Sequence, residues 1–456
     1  MAWNVLILGG GFGGLTTARR LERRLPPHSA RVTLVNDVNY MLYTPLLPGA
    51  AGGTLEPRHV VVPLREQLHR TELHLGQVLS ADPARKAVQV RSIGGREEEL
   101  TYDQLIVALG STSRTLPIPG LAEHARGFKT LAEAIALRNR LLQTLEQAEV
   151  EEDPVARREL LTYVFVGAGY AGVEGLAELQ DLAADTIERY PRARLDGVRF
   201  VLVEARERIM PEIPATLAEF ASAELRRRGM EIRTGTTIER VTERSVELSG
   251  GEIVPTRTVA WTAGVKPHPV VANLGLPLDD VGRIQSDRYC RVAGHPEVWA
   301  IGDAASVPDP AHKERPSPPT AQHVLREGKV VGDNVAVALS GSGRMRPFRY
   351  RTLGVFVDMG RKKAVASTLG IRWRGFPAWF LARTYHLALM PGTNRRVRLV
   401  VDWTVGLLFG RDSAELGQLG HPQALERSGL QETSEGGSTA DGDAPPAAPE
   451  RVGRAG

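Results

Sequence analysis

Cysteine is nearly absent: Cys290 is the only one in 456 residues. One thiol excludes an internal disulfide and a multi-cysteine metal site, and no metal is expected. Cys290 itself reads as a half-buried small side chain. Long hydrophobic runs are missing too. The longest nearly apolar stretch, Leu399 to Phe409, is broken by Asp402. It falls short of the roughly 20 residues a spanning helix needs. No signal peptide is expected either, because apolar residues begin at Trp3 with no basic segment before them.

What is present is the composition of a soluble globular protein, 42% hydrophobic and 24% charged, long enough for two or three domains. The net charge of +4 hides an asymmetry. Between Arg344 and Arg411 there are fourteen Lys/Arg against two Asp/Glu, and from Asp412 onward eight acidic residues against three basic ones. So local a basic block points to an anionic surface, membrane or nucleic acid.

Residues 3 to 8 (WNVLIL) form an apolar run ending in glycines, the pattern of a buried parallel strand. A helical stretch from Gly13 to about Leu25 follows, then a second strand, RVTLVND. The segment GGREEELTYDQLIVALGS (94 to 111) reads as a hairpin feeding a buried strand, and residues 131 to 150 as a helix. At Leu160 the pattern restarts. LLTYVFVGAGYAGVEGLAEL is strand, turn and helix, VRFVLVEA is the next strand, and TVAWTAGV matches LIVALGS. The two glycine loops lie 158 positions apart, Gly9 to Gly167, an internal repeat of architecture. EVWAIGDAA is a further buried strand ending at Asp303; a Pro-rich loop from Ser306 to Pro319 and a helix from about Ala321 to Leu339 follow. After Glu432 the low-complexity sequence is expected to be disordered.

In the first loop, LILGGGFGGL, Gly9, Gly11 and Gly14 fit G-x-G-x-x-G between a strand and a helix, with Phe12 and Gly13 inside the turn. The first glycine permits the turn, the second lets backbone approach a pyrophosphate, and the third lets helix and strand pack closely. The phosphates would sit at the helix N-terminus, where free N–H groups point outward. In the second loop, YVFVGAGYAGVE, Gly167, Gly169 and Gly172 repeat the pattern. The strand after it ends in Glu204, whose carboxylate would accept from a ribose 2′-OH and repel a 2′-phosphate. That favours NADH over NADPH, a preference that Arg206, two residues on, weakens slightly. The first unit departs from the rule: Asn36 stands at the acidic position, with Asp37 one place later. An asparagine can still hydrogen-bond a ribose. Two such units imply two dinucleotides held at once, and the economical chemistry is a hydride passed from nicotinamide to a flavin.

With these residues in hand, the chain resembles the two-dinucleotide-fold flavoprotein family and, within it, the type II NADH:quinone oxidoreductases. The matching stretches are GGGFGGL, NYMLYTPLLPGAA, YDQLIVALGS, VGAGYAGVE, WTAGVKPHP, VWAIGDAA and PPTAQHVLREGKVVGDN; they lie between Gly9 and Asn334, and in order and spacing the resemblance extends over residues 3 to about 410. TPLLP and TAQ point to the quinone-reducing branch. The resemblance implies FAD in the N-terminal domain, with Gly302 and Asp303 at its ribityl–pyrophosphate region. Thr44 and Pro45 would lie closest to the isoalloxazine ring, and Val78 would line the adenine by its backbone. Ala108, Gly110, Ala263 and Gly264 of the matching stretches fall beside the cofactors. Glu174 resembles the family's glutamate near nicotinamide and flavin; on propensity alone it is a first-turn helix acid. Ala321 and Gln322 would face the flavin at the quinone end. Arg326 stands where bacterial members often carry a further glutamine. Relatives that work through a redox disulfide need a cysteine pair that this chain lacks.

Residues 373 to 410 hold three of the six tryptophans beside NRRVR, with Phe376, Trp379, Phe380, Leu387 and Met390 mostly at helical spacing and Arg383 interrupting the stripe. This mixture suits a helix in a membrane interface, where a quinone's apolar tail resides. The alternative is a stripe packed on the catalytic core with solvated arginines outside. No recognised motif supports nucleic acid as a partner. His386 and His323 could deliver a proton, or could simply be packed.

The expectation is therefore an α/β fold of two Rossmann-like domains plus a basic C-terminal membrane-associating region. The boundaries are 1–115 and 285–344 for the FAD domain, 116–284 for the NADH domain, 345–412 for the membrane-associating region and 413–456 for an acidic tail. The expected activity is electron transfer from NADH through FAD to a quinone without proton pumping, as a peripheral protein on the cytoplasmic face of the cell membrane. A homodimer is one of the oligomeric states left open. Two alternatives stay open as well: a soluble reductase of a protein such as ferredoxin, and a non-catalytic redox sensor.

Overall fold

A computed structural model describes residues 2–310, 315–350, 352 and 354–415. All but the first three residues of the expected acidic tail, 413–456, lie outside the described residues.

The apolar run at the start is strand Trp3–Leu8, and it lies at the centre of an eight-stranded sheet. It pairs in parallel with Ala30–Asn36 on one side and Gln104–Val107 on the other. Strand His295–Ala300 continues the sheet beyond Gln104–Val107, also in parallel. Sequence from before and after the second unit thus builds one layer. Helix Phe12–Arg24 packs beside helix Ala321–Ser340, and Gly328 and Gly332 make the approach close enough for Thr17 Oγ1 to donate to the Gly328 carbonyl at 3.2 Å.

The second unit is a five-stranded parallel sheet in the order Ala125–Gly127, Thr258–Trp261, Thr162–Val166, Arg199–Val203, Glu231–Arg233. Its central strand is buried at every residue, as a strand covered on both faces must be. Helix Tyr170–Thr186 follows that strand, and helix Leu131–Val150 begins with a reciprocal cap between Thr130 and Glu133.

One expectation is corrected. Residues 94 to 111 do not form a hairpin on their own: Glu97–Thr101 pairs antiparallel with the upstream strand Ala87–Ser92, and Gln104–Val107 joins the parallel sheet instead. The Gly94–Gly95 dipeptide is the turn of that hairpin, so the first of its strands lies before the segment rather than inside it.

The C-terminal region contributes the antiparallel strands Gly354–Asp358, Ala364–Thr368 and Ile371–Arg374, then helices Gly375–Leu389 and Thr393–Phe409. The apolar stripe read from the sequence is not one face. Phe376 and Phe380 point outward, whereas Trp379 and Met390 are buried and Leu387 packs on the first core. Among the described residues no helix is long and apolar enough to cross a membrane.

Candidate active site

The two glycine loops are close geometric copies. Gly9 and Gly167 hold φ +99° and +100°, the left-handed region, and a Cβ on Gly9 would strike the Ala108 carbonyl oxygen at 2.3 Å. The third glycines are equally constrained: a Cβ on Gly14 or Gly172 would meet the carbonyl oxygen of Gly9 or Gly167 at 1.8 and 1.9 Å. The second glycines, Gly11 and Gly169, are the N-caps of their helices and face open space. Each loop therefore offers an open cradle at a helix N-terminus, which fits a diphosphate. Gly110 and Gly264 close each unit's next strand with positive φ and open space in front, beside the partly buried Ala108 and Ala263.

Asn36 and Glu204 serve their loops directly. Asn36 Oδ1 accepts from the Gly10 N–H at 2.7 Å, and Glu204 Oε2 from the Ala168 N–H at 2.7 Å. Each leaves further acceptor capacity at the loop mouth; Asp37 is exposed beside Asn36, and Phe12 packs edge-on to Tyr43 at 5.5 Å. Asp303 lies in the turn Gly302–Ala304, where its carboxylate accepts from Ser111 Oγ and pairs with Lys129 Nζ at 3.4 Å. Lys129 reaches across from the second unit, a contact between distant positions that no local motif marks. Thr44 is exposed in the short turn Thr44–Leu46, and Val78 sits in strand Glu72–Asp82 against the first core.

A cavity lies where the two units meet the C-terminal helices. Pro45, Leu46 and Leu55 come from the first unit, Glu174 and Glu178 from helix Tyr170–Thr186, and Asp358, Arg383, His386 and Trp403 from the C-terminal region. Pro45 and Glu174, assigned separately from the sequence, are thus brought together. Gln322 is not among the lining residues. Its amide donates to the Gly354 carbonyl at 2.8 Å and accepts from Tyr350 Oη at 2.7 Å, while Arg326 stacks over the Tyr350 ring at 4.9 Å. Ala321 opens the same helix, capped by Thr320.

The cavity's charges are strongly perturbed. Burial pushes the Glu174 carboxyl well above its usual range, against the Asp358 N–H that donates to Glu174 Oε1 at 3.0 Å; the charges of Asp358 and Glu178 add to the rise. Burial likewise pushes Asp358 up to about 6, helped by Glu178 and opposed by Arg383. His386 is pushed down to about 4 by burial, so it is neutral near pH 7, and its Nδ1 lies 3.4 Å from Tyr43 Oη. His323 is buried, with Nδ1 2.7 Å from Thr320 Oγ1. Arg383 lies between the rings of Trp379 (4.3 Å) and Trp403 (4.8 Å), which is why a cation can interrupt an apolar stripe. Cys290 is fully buried, more so than the sequence implied. Among the described residues no three or more His, Cys, Asp or Glu side chains converge as a metal site.

Residues 3–328 match the family model for pyridine nucleotide-disulphide oxidoreductases. The chain is 31% identical to the type II NADH:quinone oxidoreductase of Mycobacterium tuberculosis, over 96% of this chain and 95% of that protein. It is also 31% identical to the demethylphylloquinone reductase of Synechocystis, over 88% of this chain and 97% of that protein. The fold matches the solved structure of NDH2 from Plasmodium falciparum in complex with NADH, with a TM-score of 0.84 at 17% identity, covering 91% of this chain and all of that one. The chain belongs to the pyridine nucleotide-disulphide oxidoreductase family and, within it, to the type II NADH:quinone oxidoreductases.

Proposed function

We propose that this family member oxidises NADH and reduces a quinone through a resident FAD. The observation that carries the reading is the cavity in which Pro45 of the first unit and Glu174 of the second meet the C-terminal helices. A bound FAD would supply the two-electron relay between NADH and the quinone.

The first loop, Gly9 to Gly14, would hold the FAD diphosphate, with Asn36 and Asp37 at the adenosine ribose and Val78 at the adenine. Asp303, fixed by Ser111 and Lys129, would orient the ribityl chain, and Thr44, Pro45, Ala108, Gly110 and Ala321 would border the ring. The second loop, Gly167 to Gly172, with Glu204, Ala263 and Gly264, would hold NADH. On this reading 1–115 and 285–344 form the flavin domain, 116–284 the nucleotide domain and 345–412 the quinone side. Gln322, tied to Tyr350 and Gly354, would act by positioning the helix start beside the ring.

Membrane association rests on helix Thr393–Phe409. Leu399, Asp402 and Trp403 face the protein, and Asp402 bonds His59 at 2.6 Å. The opposite side exposes Val397, Val400, Val401, Val405 and Leu408, and Phe409 at the helix end is 81% exposed. Beside them, Arg395, Arg396 and Arg398 bond neighbouring carbonyls or side chains, and Arg396 caps the preceding helix through the Met390 carbonyl at 2.8 Å. An apolar face with arginines at its start suits an anionic lipid surface. Leu408→Glu with Phe409→Glu should weaken co-sedimentation with vesicles of phosphatidylcholine and phosphatidylglycerol about 100-fold, from roughly 3 kcal/mol of lost apolar burial. Turnover with a short-chain quinone should persist. Unchanged sedimentation would remove this helix as the anchor.

The experiment for the function itself is anaerobic. NADH should bleach the protein's flavin absorbance, and a short-chain quinone should restore it. Bleaching without recovery would move the acceptor to another class of molecule; no bleaching would remove NADH as the donor.

A further inference from the structure

Reducing a quinone with NADH consumes one proton from water: NADH, quinone and H⁺ give NAD⁺ and quinol. An O–H bond forms on the quinone oxygen as an acid's O–H bond breaks, and that acid is then reprotonated from solvent. We propose that Asp358 is a second acid of the acceptor cavity, sharing with Glu174 the single proton that each turnover draws. The inference rests on the quinone reading above.

Asp358 ends strand Gly354–Asp358, where pairing with Ala364 fixes its backbone. Its N–H donates to Glu174 Oε1 at 3.0 Å, so its Cα stands beside that carboxyl while its own carboxylate lines the same cavity. Asp358 Oδ1 accepts from the Gly360 N–H at 2.9 Å.

The surrounding charges decide what the pair can hold. From helix Tyr170–Thr186 come Glu178, which bonds Arg411 at 2.6 Å, and Asp181, ion-paired to Arg228, Arg361 and Arg411. From helix Gly375–Leu389 come Arg383 and His386, the latter neutral near pH 7. Two carboxyls therefore remain for one guanidinium, Arg383. In a cavity walled by Leu46, Leu55, Phe356 and Trp403, one retained proton balances that set. The direction in which burial moves both acids agrees with a shared proton.

The test follows reoxidation of NADH-reduced protein by a short-chain quinone from about pH 5 to 9. In the wild type the rate should fall as pH rises through the pair's titration. Asp358→Asn removes the like charge that holds Glu174 up, so the falling limb should move toward acid by about one pH unit, a loss of about ten-fold on the alkaline side. Asp358→Glu should restore the wild-type limb. A limb that stays in place, or moves toward alkali, would overturn the inference and leave Asp358 a structural partner of Arg383. Infrared difference spectra of the wild type, with ¹³C-labelled aspartate, decide the same point without substitution. A protonated carboxyl band that responds to both quinone and the label supports the inference, and its absence sinks it. Wild-type protein that quinone fails to reoxidise would instead remove the functional reading itself.

Discussion

Arg411→Met should lower the stability of the fold by about 3–5 kcal/mol, the usual result of removing one partner from a buried ion network. Arg411 follows the last helix and reaches back into the body of the protein. Its guanidinium donates to the Gly52 carbonyl at 2.6 Å, to Glu178 at 2.6 Å and to Asp181 at 3.2 Å, and pairs with Asp185 at 3.3 Å. The side chains of Arg411, Glu178 and Asp181 are only 10%, 4% and 3% exposed. Asp181 would keep Arg228 and Arg361, but Glu178 would lose its Arg411 guanidinium, the one bonded to it among the described residues. An uncompensated buried carboxylate is what makes such a loss large. Arg411→Lys should recover only part of it, because a single ammonium cannot present a planar fork to several acceptors at once. Calorimetric unfolding checks this directly. An unchanged midpoint would mean that the helix Thr393–Phe409 is held well enough without Arg411, by Leu399, Trp403 and the His59–Asp402 pair among its contacts.

The parts of this protein legible in its sequence are those whose cause is local. A turn that needs positive φ demands glycine at Gly9 and Gly167, and a helix that must touch its strand demands glycine at Gly14 and Gly172, so both loops can be read residue by residue. Asn36 and Glu204 were legible in place but only half in role: the sequence rule assigns them to a ribose, and the structure shows each also tying down its own loop. What escaped depends on distant contacts. Asp358 meets Glu174 from 184 positions away, and nothing in the strand GVFVD marks it as an acid facing a cavity. Glu178 and Asp181 recur at four and seven positions after Glu174, a spacing that normally marks a solvated helix face. Here that face is buried, because guanidiniums from Arg228, Arg361 and Arg411 arrive from three separate places in the chain. The C-terminal stripe failed for a related reason. Apolar periodicity does not say which apolar residues face the protein, and Met390 turns inward just before the chain breaks at Pro391 and Gly392.

Glu174→Gln should slow reoxidation by quinone by about 100-fold or more, the range expected when a positioned acid is removed. Glutamine keeps the size of the side chain and an oxygen able to accept the Asp358 N–H, so the cavity wall should persist. The proton is what is lost. Burial holds the Glu174 carboxyl protonated well above the usual carboxylate range, and the acid form is fully present below that raised value and lost as pH rises through it. Wild-type reoxidation should therefore show a falling alkaline limb, and the glutamine variant should be slow, its remaining limb displaced toward acid because Asp358 is then the acid left in the cavity. Three outcomes separate three roles. A large loss confined to reoxidation makes Glu174 the acid of the quinone side. A large loss confined to bleaching by NADH makes it a residue that orients the nicotinamide at the mouth of the second loop. Little change in either step would reduce Glu174 to an acceptor for the Asp358 N–H that contributes nothing to the chemistry.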